Sequence, residues 1–413
     1  MRRSMRLTIA ALLLIAFAPA ALTSATSGTV RFATFNASLN RGAAGVALTD
    51  LSSPGNAQAN AVAEIIQRAR PDILLINEFD FYPGGALAEA FQENYLSIGH
   101  NGAQAIEYPY WFVAPSNTGV SSGFDLNNNG VIDTTPGDNA YGDDSLGFGV
   151  FEGQFGMAVF SMYPIDTDAI RTFQHFLWKD MPGALLPDDP TTAAPQDWYS
   201  PAELDVFRLS SKSHWDVPIS IGKKTVHFLV SHPTPPVFDG AEDRNGTRNH
   251  DEIRFWSDYV TGGATASYIY ADDGGTGGLA NGARFVIAGD QNSDPLDGDS
   301  IPGSTQQLLE NDRINATSPP TSEGAVEATA LQGGANLTHQ SPPQYDTADF
   351  ADSAPGNLRA DYVLPSAQLE ILDSAVFWPL TTDPLYRLTL GFPTQPTDHR
   401  MVWVDVHLNH PRA

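Results

Sequence analysis

"RFVIAGDQNSDP" occupies Arg284–Pro295. Its apolar run, Phe285–Ala288, is rich in the residue types that favour strands and too short for a helix. It stops at Gly289 and then offers Asp290 and Asn292, two positions apart. On extended chain alternate side chains share a face, so a carboxylate and a carboxamide stand together at the tip of a buried strand. Gly, Asp and Asn also make ordinary turns. Taken alone the stretch reads as a turn; the rest of the chain gives it another meaning.

The same pattern recurs along the sequence. "TVRFATFNAS" (Thr29–Ser38) alternates like a strand and carries Asn36 near its end, and "DILLINEFD" (Asp72–Asp80) is an apolar strand with Glu78 at its tip. "KTVHFLVSHP" (Lys224–Pro233) ends on His232, "LRADYVLPS" (Leu358–Ser366) contains Asp361, and "TDHRMVWVDV" (Thr397–Val406) sets Asp398 and His399 before a last apolar run. "GMAVFSMYPI" (Gly156–Ile165) is a further strand. Between strands, "NAQANAVAEIIQRARP" (Asn56–Pro71) and "NHDEIRFWSDYV" (Asn249–Val260) have helical spacing, the second with Asn249 as N-cap and Asp251 and Glu252 in its first turn. Strands alternating with helices predict an α/β fold, and polar residues gathered at strand tips predict one polar floor where those tips converge. No internal repeat is present. Gly99–Gly149, Pro182–Glu203 and Ser304–Ala354 are long polar insertions, read as loops at the rim of a single domain over 28–411.

The order Asn, Glu, His, Asp-x-Asn, Asp-Tyr, Asp-His resembles the endonuclease/exonuclease/phosphatase superfamily, whose fold is that of deoxyribonuclease I. The resemblance spans Thr29 to about Leu408 and is carried best by "GDQN", "RADYVLPS" and "TDH". It implies a four-layer α/β sandwich, two central mixed β-sheets flanked by helices. It also implies roles. Glu78 is similar to the principal metal ligand, supported by Asn36, and Asp398 to a further ligand or helper. His399 is similar to the histidine that activates or positions the attacking water, with Asp361 orienting it. Asp290 and Asn292 are similar to the pair that handles the nucleophile and the phosphate oxygens. His232 matches the histidine that faces the leaving group in the deoxyribonuclease I branch; other branches differ there.

The chemistry asks for the same residue types. Phosphate ester hydrolysis needs water in line with the leaving oxygen and neutralisation of the equatorial oxygens. Carboxylates with a carboxamide suit Mg²⁺, Mn²⁺ or Ca²⁺. A histidine titrates near neutrality, and a carboxylate behind it fixes its tautomer. The reading is therefore a divalent-metal-dependent phosphoesterase acting on a nucleic acid, phospholipid or small phosphoester. The alternative is a non-catalytic, Ca²⁺-stabilised binding module on the same fold.

Composition narrows this further. The chain has no cysteine, which excludes thiolate zinc sites and cysteine nucleophiles. Its net charge of -26 disfavours nonspecific binding to polyanions. Arg2, Arg3 and Arg6, the apolar Leu7–Phe17 and the small-residue patterns at Ala18–Ala20 and Thr23–Ala25 read as a secretion signal over 1–25. A secreted or periplasmic monomer without a membrane span is expected. "DLNNNGVID" places Asp125, Asn127, Asn129 and Asp133 at the spacing of a calcium loop, although Pro136 stands where a bidentate Glu belongs, so a structural Ca²⁺ competes there with a plain turn. Arg248 and Arg254 are candidates for holding phosphate, against simple pairing with neighbouring acids.

Overall fold

The computed structural model describes residues 28–390 and 396–408. The stretch read as a secretion signal lies outside the described residues. The strands in chain order are β1 (Thr29–Asn36), β2 (Ile73–Asn77), β3 (Tyr110–Phe112), β4 (Met157–Ser161), β5 (Arg171–Thr172), β6 (His214–Ile221), β7 (Lys224–Ser231), β8 (Arg284–Asp290), β9 (Ala348–Asp349), β10 (Asn357–Leu358), β11 (Asp361–Pro365), β12 (Glu370–Val376) and β13 (Val402–His407).

Two mixed sheets result. One has the order β12-β13-β1-β2-β4-β3 and the other β11-β8-β7-β6-β5. Only β1–β2 and β7–β8 run parallel; the remaining pairs are antiparallel. The sheets pack face to face through Phe32, Leu75 and Val404 of the first and Trp215, Phe228 and Val286 of the second, with Phe32 and Phe228 rings 5.6 Å apart. The outer face of the first sheet is covered by the Ala57–Ala69 and Ala86–Phe91 helices, that of the second by the Arg244–Thr261 helix. This is the expected four-layer sandwich: strands buried on both faces must be apolar throughout, which is why β2 and β4 show no alternation.

Three readings of the sequence need correction. The second helix starts at Arg244, not Asn249, and Asn249 lies in its buried interior. There its Nδ2 donates to the carbonyls of Thr234 and Gln291, each at 2.8 Å, so the side chain ties two loops together instead of capping. The strand β6 escaped notice because Pro218 interrupts it. The missing N–H of Pro218 falls on the edge away from β7, where β6 meets only an isolated bridge of Ile165 with Ile219 and Pro218 still accepts at its carbonyl from the Asp166 N–H at 2.9 Å. The Ser304–Ala354 insertion is also more ordered than a polar loop: it contains a Glu323–Gln332 helix, N-capped by Ser322, and β9.

His214 opens β6 inside the core. Its ring contacts Phe255 and Trp256, Nδ1 meets Ser210 Oγ at 2.6 Å, and Nε2 meets the Glu252 carbonyl at 2.9 Å. Burial lowers its pKa from 6.5 to about 3. The unfolded chain therefore binds the extra proton first, and stability falls as pH drops from 6.5 towards 3, by at most about 1.4 kcal/mol per pH unit. Equilibrium urea unfolding across that window should show this slope, and His214→Gln should flatten it while lowering stability at pH 7.

Candidate active site

The strand tips converge as the sequence suggests. Asn36 ends β1 directly opposite Asn77 of β2, one residue before Glu78, while Asp290 ends β8 directly opposite Asp361 at the start of β11. Asn36 joins the two sheets: its Nδ2 donates to Glu78 Oε1 at 3.1 Å and to Asp290 Oδ2 at 3.0 Å. Glu78 Oε2 accepts from Asn40 Nδ2 at 2.8 Å. Two of these residues hold left-handed backbone, Glu78 at φ 57° and Asn292 at φ 51°. That conformation is disfavoured for Glu and tolerated by Asn, and it turns the chain so that the side chain faces the floor. Gly289 has a specific role. At φ 152° a Cβ there would lie 2.0 Å from the Ser231 carbonyl oxygen, so only glycine lets β8 pass β7 and deliver Asp290.

Two imidazoles flank one carboxylate oxygen. Asp290 Oδ2 is 3.4 Å from His232 Nε2 and 3.6 Å from His399 Nε2. His399 is fixed from behind, its Nδ1 bonded to Asp361 Oδ2 at 2.8 Å. Thr347 completes the support. Its hydroxyl donates to Asp361 Oδ2 and accepts from the backbone N–H groups of Ala360 and Asp361, all at 2.9 Å. The Phe350 ring stands edge-on to the His399 ring at 5.4 Å.

These placements set the charge states. Burial opposes charge on His399, but the carboxylates of Asp361 and Asp290 outweigh it and raise its pKa well above the ordinary value. Burial pushes Asp361 up to about 6, against the pull of His399 and Thr347. Asp290 is pushed up by burial too, yet the facing His399 and His232 hold it well below the usual carboxylate range. His232 is lowered by burial and by the nearby Lys212. Lys212, 6% exposed, is itself lowered by burial and partly restored by the fields of Glu252, Glu78 and Asp290.

Asn292 donates its backbone N–H to Asp290 Oδ1 at 2.8 Å and its Nδ2 to the Pro233 carbonyl at 3.1 Å. Asp398 precedes His399, and Thr397 between Asp398 and Pro396 donates to the Asn36 carbonyl at 3.0 Å. Among the described residues, Asp290, Asp361 and His399 have ligand atoms within 4.8 Å of one another. Glu78 reaches that group through Asn36.

The remaining candidates sit elsewhere. Asp125, Asn127, Asn129 and Asp133 share one loop, where Asp125 accepts from the N–H groups of Asn129 and Gly130 at 3.0 and 2.7 Å, and Asn129 from Val131 at 2.8 Å. Asp133 donates its N–H to the buried Asp144. Arg248 is buried, stacks on Phe207 and donates to the carbonyls of Leu209, Leu146 and Arg208. Arg254 pairs with Asp258 one helical turn on, at 3.1 Å.

Sequence reasoning missed Asn40, Lys212 and Thr347. Asn40 stands four residues after Asn36, and Lys212 in "SSKSHW" is one of few cations in an acidic chain. Those were the available signals. Thr347 carried none, being one hydroxyl in a polar insertion.

A family model described as Endonuclease/Exonuclease/phosphatase family matches residues 33–399. The chain belongs to that family. This makes it a metal-dependent phosphoesterase in general type. Solved structures similar to it include an endonuclease/exonuclease/phosphatase from Beutenbergia cavernae, 15% identical, covering 94% of this chain and 73% of that one at a TM-score of 0.47. A family protein from Leptotrichia buccalis is 12% identical over 92% of this chain and 100% of that one, TM-score 0.44. A Staphylococcus aureus beta toxin mutant with bound magnesium ions is 13% identical over 91% and 98%, TM-score 0.42. No curated protein matches the sequence.

In this family member Thr347→Val removes a donor from Asp361 and strands two backbone N–H groups. Each such loss costs about 1–3 kcal/mol of folding stability, and because Asp361 is then held less firmly behind His399, turnover should fall about tenfold. Thr347→Ser keeps the hydroxyl and should restore most of it. Steady-state kinetics on the two variants, each measured well below its own melting temperature, check this.

Proposed function

We propose that the chain is a secreted, monomeric hydrolase of phosphodiester or phosphomonoester bonds that works by in-line attack of water with a bound divalent cation. One observation carries the reading: two imidazoles, His399 and His232, meet a single buried carboxylate oxygen of Asp290, beside the Asn36–Glu78 pair. That arrangement can take a proton on one side and supply one on the other. The leader-like start of the sequence supports secretion, and no helix among the described residues is long and apolar enough to cross a membrane.

The residues present fit a hard cation. Glu78, Asn36, Asp290 and Asp361 offer oxygen donors, and the buried Oδ1 of Asp361 accepts no hydrogen bond. Glu78 and Asn36 would hold the ion, with Asp398 as the further candidate. When bound, it would polarise the phosphate and stabilise negative charge on its oxygens.

The chain's own residues do the rest. Asp361 and Thr347 keep His399 Nδ1 engaged, so that Nε2 faces Asp290. Water forms the new P–O bond and passes its proton to the Asp290 carboxylate, which the protonated His399 steadies and which hands the proton on to the neutral His232. The old P–O bond breaks, and its electron pair leaves on the departing oxygen, which takes a proton from His232. The three groups then re-equilibrate through the Asp290 carboxylate. Asn292 and the ammonium of Lys212 would receive phosphate oxygens in a site otherwise rich in carboxylates.

Two measurements test this. Glu78→Gln keeps size and removes charge; calorimetric titration with Mg²⁺ or Mn²⁺ should show affinity lost while the folded spectrum is kept, and unchanged affinity with unchanged turnover would remove Glu78 from the site. Asp361→Asn and His399→Ala should each slow hydrolysis of a chromogenic phosphodiester on the order of 10³-fold. The double mutant should be scarcely slower than His399→Ala, because the two act as one unit; losses that multiply would show that they act separately.

A further inference from the structure

Next to the dyad lies a pocket of about 350 Å³ that the chemistry above leaves unused. Its wall includes Glu327 and Leu331 from the Glu323–Gln332 helix, Phe350 and Asp352 just past β9, and Trp378 and Tyr386 from the chain after β12. Most of these come from the insertion or from loops that do not build the catalytic floor. Phe350 is the connection: one side lines the pocket, and its ring meets the His399 ring at 5.4 Å. The pocket is thus a single aromatic side chain away from the reacting groups, and its volume is in the range that holds a small organic ligand.

Its chemistry is specific. Glu327 is held by the backbone N–H and the hydroxyl of Thr381 at 2.6 and 2.8 Å. Asp349, also in the wall, is held by Gln332 at 2.6 Å and by the buried Arg400 at 2.7 Å. Arg400 directs its charge at Asp349 and lies 4.4 Å from the centre of the Trp378 ring, so one cation already rests on this aromatic wall. Asp352 is exposed at the rim. No lysine lines the space. Arg400 already takes up the charge of Asp349 and one face of Trp378, so Glu327 and Asp352, with the Phe350 and Tyr386 rings, are what remains to attract a cation and repel a second anion.

We propose that this pocket is the subsite for the alcohol portion of the phosphate ester, and that it selects an alcohol bearing a protonated amine. The inference rests on the phosphoesterase reading given above. It assigns to the Ser304–Ala354 insertion the choice of substrate, and it makes an ester with further phosphates a poor one.

The test uses p-nitrophenyl phosphodiesters that differ only in the second ester: 4-ammoniobutyl, pentyl or 3-carboxypropyl. For the full-length protein with Mg²⁺ or Mn²⁺, kcat/KM should fall in that order, by about tenfold from the first to the second, the size of a partly desolvated cation–aromatic contact. Asp352→Lys and Leu331→Arg alter exposed rim positions outside the catalytic set. Each should cost the ammonium ester about tenfold and leave the pentyl ester within about twofold. Equal rates for the ammonium and pentyl esters, or a ratio unmoved by both variants, would overturn the proposal. Turnover is not the sole readout. Titration of 4-amino-1-butanol followed at the Trp378 indole resonance should saturate with the parent protein and weaken with Asp352→Lys. If no ester is cleaved under any metal, the phosphoesterase reading fails, and this titration still decides the pocket.

Discussion

The Asn36 carboxamide is the joint on which the site depends. It leaves the end of a strand in one sheet and bonds to Asp290 at the end of a strand in the other, while holding Glu78 with the same nitrogen. Two sheets packed only through apolar side chains can slide by small amounts, because dispersion contacts have little directionality. A two-acceptor hydrogen bond at 3.0 and 3.1 Å, from buried Asn36 to buried Asp290 and half-buried Glu78, fixes their relative height at the one place where height matters. The apolar layer of Phe32, Phe228 and Val286 supplies adhesion; the carboxamide supplies register.

Around that joint, support arrives from unexpected places. The Arg244–Thr261 helix ties the Thr234 and Gln291 loops through Asn249, so the chain after His232 and the chain after Asp290 are held by one amide. The strand β9 runs beside the segment that carries His399: Ala348 bridges to His399, and Arg400 N–H bonds the Thr347 carbonyl at 2.7 Å. The polar floor is thus gripped from the helix layer on one side and from the insertion on the other. Polar groups this deeply buried cost stability unless they are satisfied; Asn249 and Thr347 are bonded to backbone, whereas the Nδ1 of His232 and the Oδ1 of Asp361 have no hydrogen-bond partner.

Much of this was legible in the sequence, and the reason is geometric. A strand has a period of two and a sharp end, so an apolar run closing on Asn, Glu, Asp or His announces both the element and the direction of its last side chain. Asn36, Glu78 and Asp290 were readable on that basis, as was the α/β class, whereas Asp361 and His399 stand before their strands and were readable only through the family resemblance. What lay between the strands was not. Asn249 looks like an N-cap because Asn before an apolar-periodic run usually is one, and only the loops beside it reveal an interior role. Thr347 and Lys212 sit in polar stretches where no periodicity marks one hydroxyl or amine from the next. The strand β6 was hidden by Pro218, since local propensity does not reveal that the edge facing the missing N–H is held by an isolated bridge alone.

The pairing of β1 with β13 brings Thr29 opposite His407. The first and last strands of the domain are therefore neighbours, and Asn36 and His399 come from opposite ends of the chain. During synthesis, no shorter segment of the chain contains both halves of the site. Asn36 and Glu78 are in place in the chain long before His399, and a chain still missing Asp398, His399 and the closing strand holds only part of the polar floor. Contacts this distant in sequence also form late and slowly, since the loop they close is nearly the whole chain. The topology ties the assembled floor to the presence of both the first and the last strand.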